Sequence, residues 1–82
     1  MIGEVDTDKT VKVPNIVGQP IVEALRILGM QGLEIGSAMD GSGLPVSTED
    51  SSNNNRKVIV QTPSPGVPVA KETEVDIVVA PG

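Results

Sequence analysis

The 82-residue chain contains no cysteine, histidine, phenylalanine, tyrosine or tryptophan. Without cysteine it forms neither a disulfide nor a thiolate metal site. Without histidine or cysteine it has no base for a serine triad and no thiol nucleophile. Without aromatic rings it has no platform on which a base or a sugar ring can stack. The composition therefore points away from catalysis and toward an aliphatic domain.

Basic charge is also scarce. Six Lys and Arg residues stand against eleven Asp and Glu residues, which gives a net charge of −5. Nucleic-acid binding requires a basic surface, so we expect no nucleic-acid partner. No apolar run approaches the ~18 residues of a membrane-spanning helix. The N-terminus lacks a signal-peptide pattern. We expect no membrane segment in this chain.

What the chain does contain is aliphatic and β-branched, since Val and Ile together supply 20 residues. Such a composition favours strands. A chain of this length makes one small domain that buries only about 60% of its unfolded surface. We predict a flexible leader at residues 1–10, which are polar and without period. Residues 11–82 are predicted to form a single domain, monomeric in isolation.

One amphipathic helix is predicted from Pro20 to Met30. Its apolar residues fall in a stripe roughly 100° wide, the width of a face that packs on a sheet; they are Ile21, Ala24, Leu25 and Leu28. Pro20 suits the first helical position. Gly32 follows where a left-handed cap residue is expected. This helix is the element around which the domain is organised.

The remaining periodic segments predict strands at residues 11–13, 33–39, 57–62 and 74–80. In the second strand, Leu33, Ile35, Ser37 and Met39 are expected on the buried side. Three consecutive apolar residues, 58–60, predict a central position for the third strand. The expected fold class is α+β, with one α-helix packed on a three-stranded β-sheet in β-α-β-β-β order and a short first strand. The segment 40–55 is rich in Gly, Ser, Asp and Asn and is predicted to be a long flexible loop.

Four blocks of this sequence, in order and in register, resemble the PASTA domain of penicillin-binding proteins and serine/threonine kinases. They are VPNIVG at 13–18, Glu23-Ala24 with Leu28 and GLEIG at 32–36, VIVQTPSPG at 58–66, and VDIVV at 75–79. Two features depart from the family pattern. Gln19 stands where the family places a capping Ser or Thr, and the 40–55 loop is longer.

The resemblance implies a non-catalytic extracytoplasmic module in bacteria that make peptidoglycan. A single copy favours a penicillin-binding protein as parent, a peptidoglycan transpeptidase/glycosyltransferase anchored by a segment outside this chain. The alternative parent is a membrane serine/threonine kinase with this domain as its sensor. The implied partners are peptidoglycan or muropeptides, catalytic domains of the parent, or cell-division proteins.

The inventory of catalytic and metal-binding residues is empty. No serine is followed three residues later by lysine, the arrangement of a penicilloyl-serine centre. The carboxylates of Asp40, Glu49 and Asp50 do not have the spacing of a calcium loop, and we interpret them as solvated charges. The Gly-Ser-Gly at 41–43 lacks the context of a phosphate-binding loop. We expect no catalytic residue, no metal and no cofactor.

Five polar residues are candidate ligand-binding residues. Arg56 and Lys57 are adjacent cations suited to the carboxylate of a stem peptide or a β-lactam, or they only flank an apolar strand as solubilising charges. Gln61 is suited to a sugar or acetamido group, or it bonds the neighbouring turn. Asn15 and Gln19 either present amides to a ligand or stabilise the turn before the helix.

Two hypotheses of different class follow. In the first, the domain weakly recognises peptidoglycan fragments or β-lactams. In the second, it is a structural or protein-docking appendage without a small ligand.

Overall fold

A computed structural model describes residues 10–81 of the chain. Over these residues it contains five strands and one α-helix, in the order β1 Thr10–Lys12, α1 Ile21–Met30, β2 Glu34–Asp40, β3 Val58–Thr62, β4 Pro68–Ala70 and β5 Glu74–Val79. A 3₁₀ turn lies at Ser51–Asn53 between β2 and β3. The helix packs on a three-stranded sheet, which confirms the predicted α+β class. A fifth strand, β4, adds to the four that were predicted.

The three-stranded sheet has the order β2–β5–β3, with β5 parallel to β2 and antiparallel to β3. The prediction that the third strand is central is therefore wrong. Its apolar run contains one buried residue, Val58, whereas Ile59 and Val60 are each 49% exposed. A register shift between Val58 and Val60 interrupts the alternation. A run of apolar residues in a strand thus does not by itself indicate neighbours on both sides.

A separate two-stranded ribbon joins β1 to β4, in antiparallel register with Val11 opposite Val69. The sequence pattern predicted only a connection at residues 67–73. The strand found there, Pro68–Ala70, is three residues long, which is too short to give a clear periodic pattern. The ribbon continues into a tight contact in which Val13 N donates to Val67 O at 3.0 Å and Gly66 N donates to Val13 O at 2.7 Å. It holds the N-terminal segment next to the turn after β3.

The core lies between α1 and the facing side of the sheet. Three members of the predicted helical stripe are buried, Ile21, Ala24 and Leu28, and Leu25 is half-buried at the margin. From the sheet, β5 contributes three buried residues because alternate side chains of a strand share a face. The buried aliphatic residues are Val13, Ile16, Ile21, Ala24, Leu28, Leu33, Val46, Val58, Val75, Ile77 and Val79.

The helix begins one residue later than predicted, with Pro20 as its N-cap and no side-chain capping bond. Backbone carbonyls of the loop between β2 and β3 replace that bond: Ile21 N donates to Arg56 O at 2.9 Å and Val22 N donates to Asn54 O at 3.2 Å. Two of the donors that a helix start leaves unpaired are thereby satisfied. At the other end Gly32 has φ +77°, which confirms the predicted left-handed cap.

The predicted alternation of β2 holds at Leu33 and Ile35 and then fails. A register shift between Ile35 and Ala38 turns the strand, so that Ala38 packs against the core and Ser37 is exposed. The carboxylate of Asp76 fixes this bulge, since its Oδ1 accepts from Ser37 N at 2.9 Å. Gly36 makes the space: a Cβ there would overlap that oxygen and lie 3.0 Å from Glu74 Cβ.

The segment 40–55 makes specific contacts with the rest of the domain. Asp40 Oδ1 accepts from Ser42 N at 2.9 Å and from Leu44 N at 3.0 Å, which closes a tight turn. Val46 is 9% exposed and belongs to the core. The predicted flexibility of this segment stays a prediction. The predicted leader lies outside the described residues except for its last residue, Thr10, which begins β1.

Candidate functional site

The five candidate binding residues lie along one contact line, which we call the β3 seam: residues 14–20 on one side and residues 56–61 on the other. The segment before α1 runs beside β3 and pairs with its first residues. Gly18 N donates to Val58 O at 2.7 Å, and Val58 N donates to Gln19 O at 2.9 Å. Pro20 forms an isolated antiparallel bridge with Lys57. The seam therefore closes part of the outer edge of β3.

Gln61 holds one end of the seam. Its Oε1 accepts from Ile16 N at 2.8 Å, and its Nε2 donates to Pro14 O at 2.9 Å and to Pro63 O at 3.2 Å. Both amide hydrogens are thus used, and the side chain is buried. The sequence left two interpretations of Gln61, ligand contact and turn stabilisation, and these bonds belong to the second. A role in ligand contact stays a prediction that depends on the remaining oxygen lone pair.

Asn15 and Gln19 lie on the turn that leads into the helix. Asn15 Oδ1 accepts from Val17 N at 3.1 Å, which forms an Asx turn and leaves the exposed Nδ2 pointing to no partner among residues 10–81. Gln19 N donates to Ile16 O at 3.1 Å. Gly18 between them has φ +90°, as expected for the turn. The half-buried side-chain amide of Gln19 makes no hydrogen bond within the described part of the chain.

Arg56 holds the other end of the seam. Its backbone carbonyl caps α1, its Nε donates to Ala80 O at 2.8 Å, and its Nη1 contacts Asn53 Oδ1 at 3.3 Å. It thus ties the helix start, the 3₁₀ turn and the end of β5 together. A guanidinium has five N–H donors, and these two bonds leave three without a partner among residues 10–81. N–H donors of a guanidinium are the groups that bind a carboxylate by paired hydrogen bonds.

Lys57 follows Arg56 and differs from it in exposure. Its carbonyl accepts from Ala80 N at 2.8 Å, so its backbone is fixed between β5 and the seam. Its side chain is exposed and makes no ion pair with the described residues. The structure thus places two cations with fixed backbones at one end of the seam and, at the other, an amide with both of its hydrogens bonded within the domain.

Hydrogen bonds shift the pKa values of three surface side chains, Asp50, Glu23 and Arg26. Asp50 caps the 3₁₀ turn: its Oδ1 accepts from Ser52 N at 3.0 Å and from Ser52 Oγ at 2.8 Å. These hydrogen bonds lower the pKa of Asp50 below its ordinary value. On the outer face of α1, hydrogen bonding to Arg26 lowers the pKa of Glu23, and the same contact raises the pKa of Arg26.

Sequence reasoning missed the residues that position Arg56. Asn53 and Asn54 read only as part of a polar loop, yet the first orients the guanidinium and the second caps the helix through its carbonyl. Asp50-Ser51-Ser52 carried the available signal, since an Asp before Ser residues is a capping pattern. The partner of the guanidinium, the carbonyl of Ala80, is a main-chain group and has no sequence signature.

Within residues 10–81, no three acidic side chains converge closely enough to hold a metal ion. Over the same residues, no helix reaches the length and hydropathy that crossing a membrane requires. The polar groups of the site are therefore those of the seam itself: the amides of Asn15 and Gln61 at one end, and the amide of Gln19 beside the cations Arg56 and Lys57 at the other.

Comparison with known proteins gives one match. The family model described as PASTA domain matches residues 11–81, which includes the helix and all of the strands except the first residue of β1. Neither the comparison with curated proteins nor the comparison with solved structures gives a match.

Proposed function

Because this chain belongs to the PASTA domain family, we propose that it is the extracytoplasmic recognition module of a bacterial penicillin-binding protein. The family consists of non-catalytic binding domains of penicillin-binding proteins or serine/threonine kinases, typically extracellular, that bind peptidoglycan-like ligands. In this proposal the domain weakly binds peptidoglycan fragments or β-lactams. The parent enzyme carries the transpeptidase chemistry and is anchored by a segment outside this chain.

The observation that carries the proposal is the pair of cations at the end of the β3 seam. Stem peptides and β-lactams both present a carboxylate, and a guanidinium binds a carboxylate by two parallel hydrogen bonds. Arg56 is held by Ala80 and Asn53, and three of its N–H donors have no partner among residues 10–81. Because those two contacts fix the guanidinium before a ligand arrives, little side-chain entropy is lost on binding.

The other seam residues fit supporting parts in the same proposal. The Nδ2 of Asn15, which has no partner in the described part of the chain, and the amide of Gln19 are suited to carbonyl and hydroxyl groups of a muropeptide. Gln61 holds the segment that carries them, through Ile16 N and Pro14 O. No aromatic ring is present in the chain to stack on a sugar. We therefore expect a dissociation constant near the millimolar end of the range, about 0.1–1 mM or weaker.

The experiment is a titration of the domain with a disaccharide-pentapeptide muropeptide and, separately, with a β-lactam, followed by amide NMR shifts. The proposal expects shifts concentrated at Arg56, Lys57 and Gln61. Lys57→Ala should weaken binding several-fold by removing an exposed charge, and Lys71→Ala is the matched control because it removes an exposed lysine from the turn between β4 and β5. Arg56→Gln needs a thermal melt beside it, since Arg56 also holds the fold.

The second candidate is a structural or docking appendage without a small ligand. Two observations favour it. Both amide hydrogens of Gln61 are bonded within the domain, and the start of α1 is capped by main-chain carbonyls. A flat response to millimolar muropeptide and β-lactam would establish this alternative over the first. A kinase parent is distinguished from a penicillin-binding protein by the domains that flank this one in the full-length protein.

A further inference from the structure

The side of the three-stranded sheet opposite α1 carries a row of apolar side chains that no element of the described chain covers. We call it the outer face. Val60 and Met39 are both in register with Val78 of the central strand. Val78 lies between the buried residues Ile77 and Val79, and strand alternation directs it away from the helix. Val60 is 49% exposed, and Met39 and Val78 are half-buried.

Beside this row the outer face becomes acidic. Glu34 and Glu74 are register partners on neighbouring strands, and Asp76 follows Glu74 by two residues on the same face. All three are exposed. Like charges placed side by side across neighbouring strands destabilise a sheet. Among residues 10–81 no cation forms an ion pair with these carboxylates, since the ion pair of the described residues joins Arg26 to Glu23.

We propose that the outer face docks an amphipathic helical segment of a partner protein whose aliphatic stripe is flanked by lysine or arginine. Apolar atoms of the segment would cover Met39, Val60 and Val78, and its cations would face Glu34 and Glu74. The argument is charge complementarity on an apolar surface, which selects the sign of the partner and steers its approach. The carboxylates are spread over two rows and do not converge on a metal ion.

The same charges argue against other occupants. Nucleic acid and anionic glycan are repelled by the acidic rows. A second copy of this chain would bring two acidic surfaces together in a chain of net charge −5. The acidic residues of the outer face lie at the Glu74 end of β5, whereas the cations of the β3 seam contact Ala80, beyond its other end. The two surfaces therefore differ in sign and in ligand. The proposal therefore stands or falls separately from recognition of peptidoglycan.

The experiment uses two synthetic amphipathic helical peptides about four turns long, one of Leu and Lys and one of Leu and Glu with the same spacing. Each is titrated into the labelled domain and followed by amide NMR shifts at low and high salt. The proposal expects the Leu/Lys peptide alone to bind, with shifts at Glu34, Met39, Val60, Glu74 and Val78. Raising the salt should weaken this binding because screening reduces the attraction.

Two variants locate the surface. Val60→Ser should weaken binding of the Leu/Lys peptide by about fivefold to tenfold, a change of roughly 1 to 1.4 kcal/mol. Val22→Ser is the matched control: Val22 is also 49% exposed but lies on the helix, on the opposite side of the sheet. Glu34→Gln with Glu74→Gln should weaken binding several-fold and flatten its salt dependence, whereas Glu49→Gln should do neither.

Several results would overturn the proposal. One is equal loss of affinity in the Val60→Ser and Val22→Ser variants, and another is equal binding of the Leu/Glu peptide. A third is the absence of shifts up to about 1 mM peptide, the weak limit of specific association. Sedimentation of the domain alone supplies the last: a dimer that Val60→Ser abolishes would assign the outer face to self-association instead.

Discussion

On the central strand β5, Val75, Ile77 and Val79 are buried under α1, whereas the residues between them, Glu74, Asp76 and Val78, face outward. The two faces of one strand thus differ completely in what surrounds them. The inner face is neutral and packed, and its contacts are made within the chain. The outer face mixes acidic and apolar side chains and leaves them exposed.

This difference separates folding from recognition in the domain. Buried residues, which pack against other parts of the chain, determine stability. Exposed apolar residues, which do not, can contact ligands and partners. The β3 seam combines both kinds of residue, since Gln61 is buried at one end and Lys57 is exposed at the other. Substitutions at matched buried and exposed positions test this difference.

The largest expected effect separates two isoleucines on neighbouring strands. Ile77 is 1% exposed and Ile59 is 49% exposed. Ile77→Ala should reduce the free energy of unfolding by about 2–5 kcal/mol, because a cavity remains in the core. Ile59→Ala should change it by less than about 1 kcal/mol. Urea denaturation of both variants measures the difference, and similar losses would show that the burial of Ile77 does not set its contribution apart from that of an exposed isoleucine.

The inner face was the part of the fold that the sequence predicted well. The period of α1 and the alternation of Val75, Ile77 and Val79 are local patterns that burial imposes directly. The order of strands in the sheet was not predicted correctly, because the apolar run at residues 58–60 carries no information about which strand lies beside it. The bulge in β2 also escaped prediction, since it depends on Asp76, a residue 39 positions away from Ser37.

The candidate site shows the same division between local and distant causes. The adjacent charges of Arg56 and Lys57, and the amides of Asn15, Gln19 and Gln61, were identified by residue type. Their alignment along one seam follows from backbone bonds between distant segments. The main-chain carbonyls that cap α1 and hold Arg56 belong to Asn54, Arg56 and Ala80, and any residue type supplies a carbonyl. No pattern of side chains could have revealed them.

The next effect concerns a polar residue on the inner face. Gln61 is the register partner of Ile77, and its amide holds Ile16 N and two carbonyls. Gln61→Ala should lower the free energy of unfolding by about 1–3 kcal/mol, because a buried N–H loses its acceptor. Gln19→Ala, in which no described hydrogen bond is lost, should cost less than about 0.5 kcal/mol. Thermal melts compare the two, and equal stabilities would mean that the amide contributes nothing to the fold.

A smaller effect is expected from two glycines. Gly36→Ala should destabilise by roughly 1–2 kcal/mol, because the methyl group overlaps Asp76 Oδ1 and displaces it from Ser37 N. Gly29→Ala is the control, since a Cβ there meets nothing within 4 Å. In a helix this second change should stabilise by up to about 1 kcal/mol. If Gly36→Ala lowers the melting temperature and Gly29→Ala raises it, the bulge in β2 is fixed by its contact with Asp76. If both substitutions change the melting temperature in the same direction, β2 rearranges to accept the new methyl group.

The smallest effect is a change in pH dependence, and it tests whether ionisation is confined to the surface. Hydrogen bonds from Ser52 lower the pKa of Asp50, so its contribution to stability is present above the unfolded value of about 3.9. That contribution is lost as the pH falls through the lower folded value. Asp50→Asn should therefore flatten the decline of Tm in acid without changing the fold. Glu49→Gln alters the net charge equally but leaves the Ser52 contacts in place. An acid decline that persists unchanged in Asp50→Asn would place the responsible carboxylates elsewhere, with Glu23 beside Arg26 the next to replace.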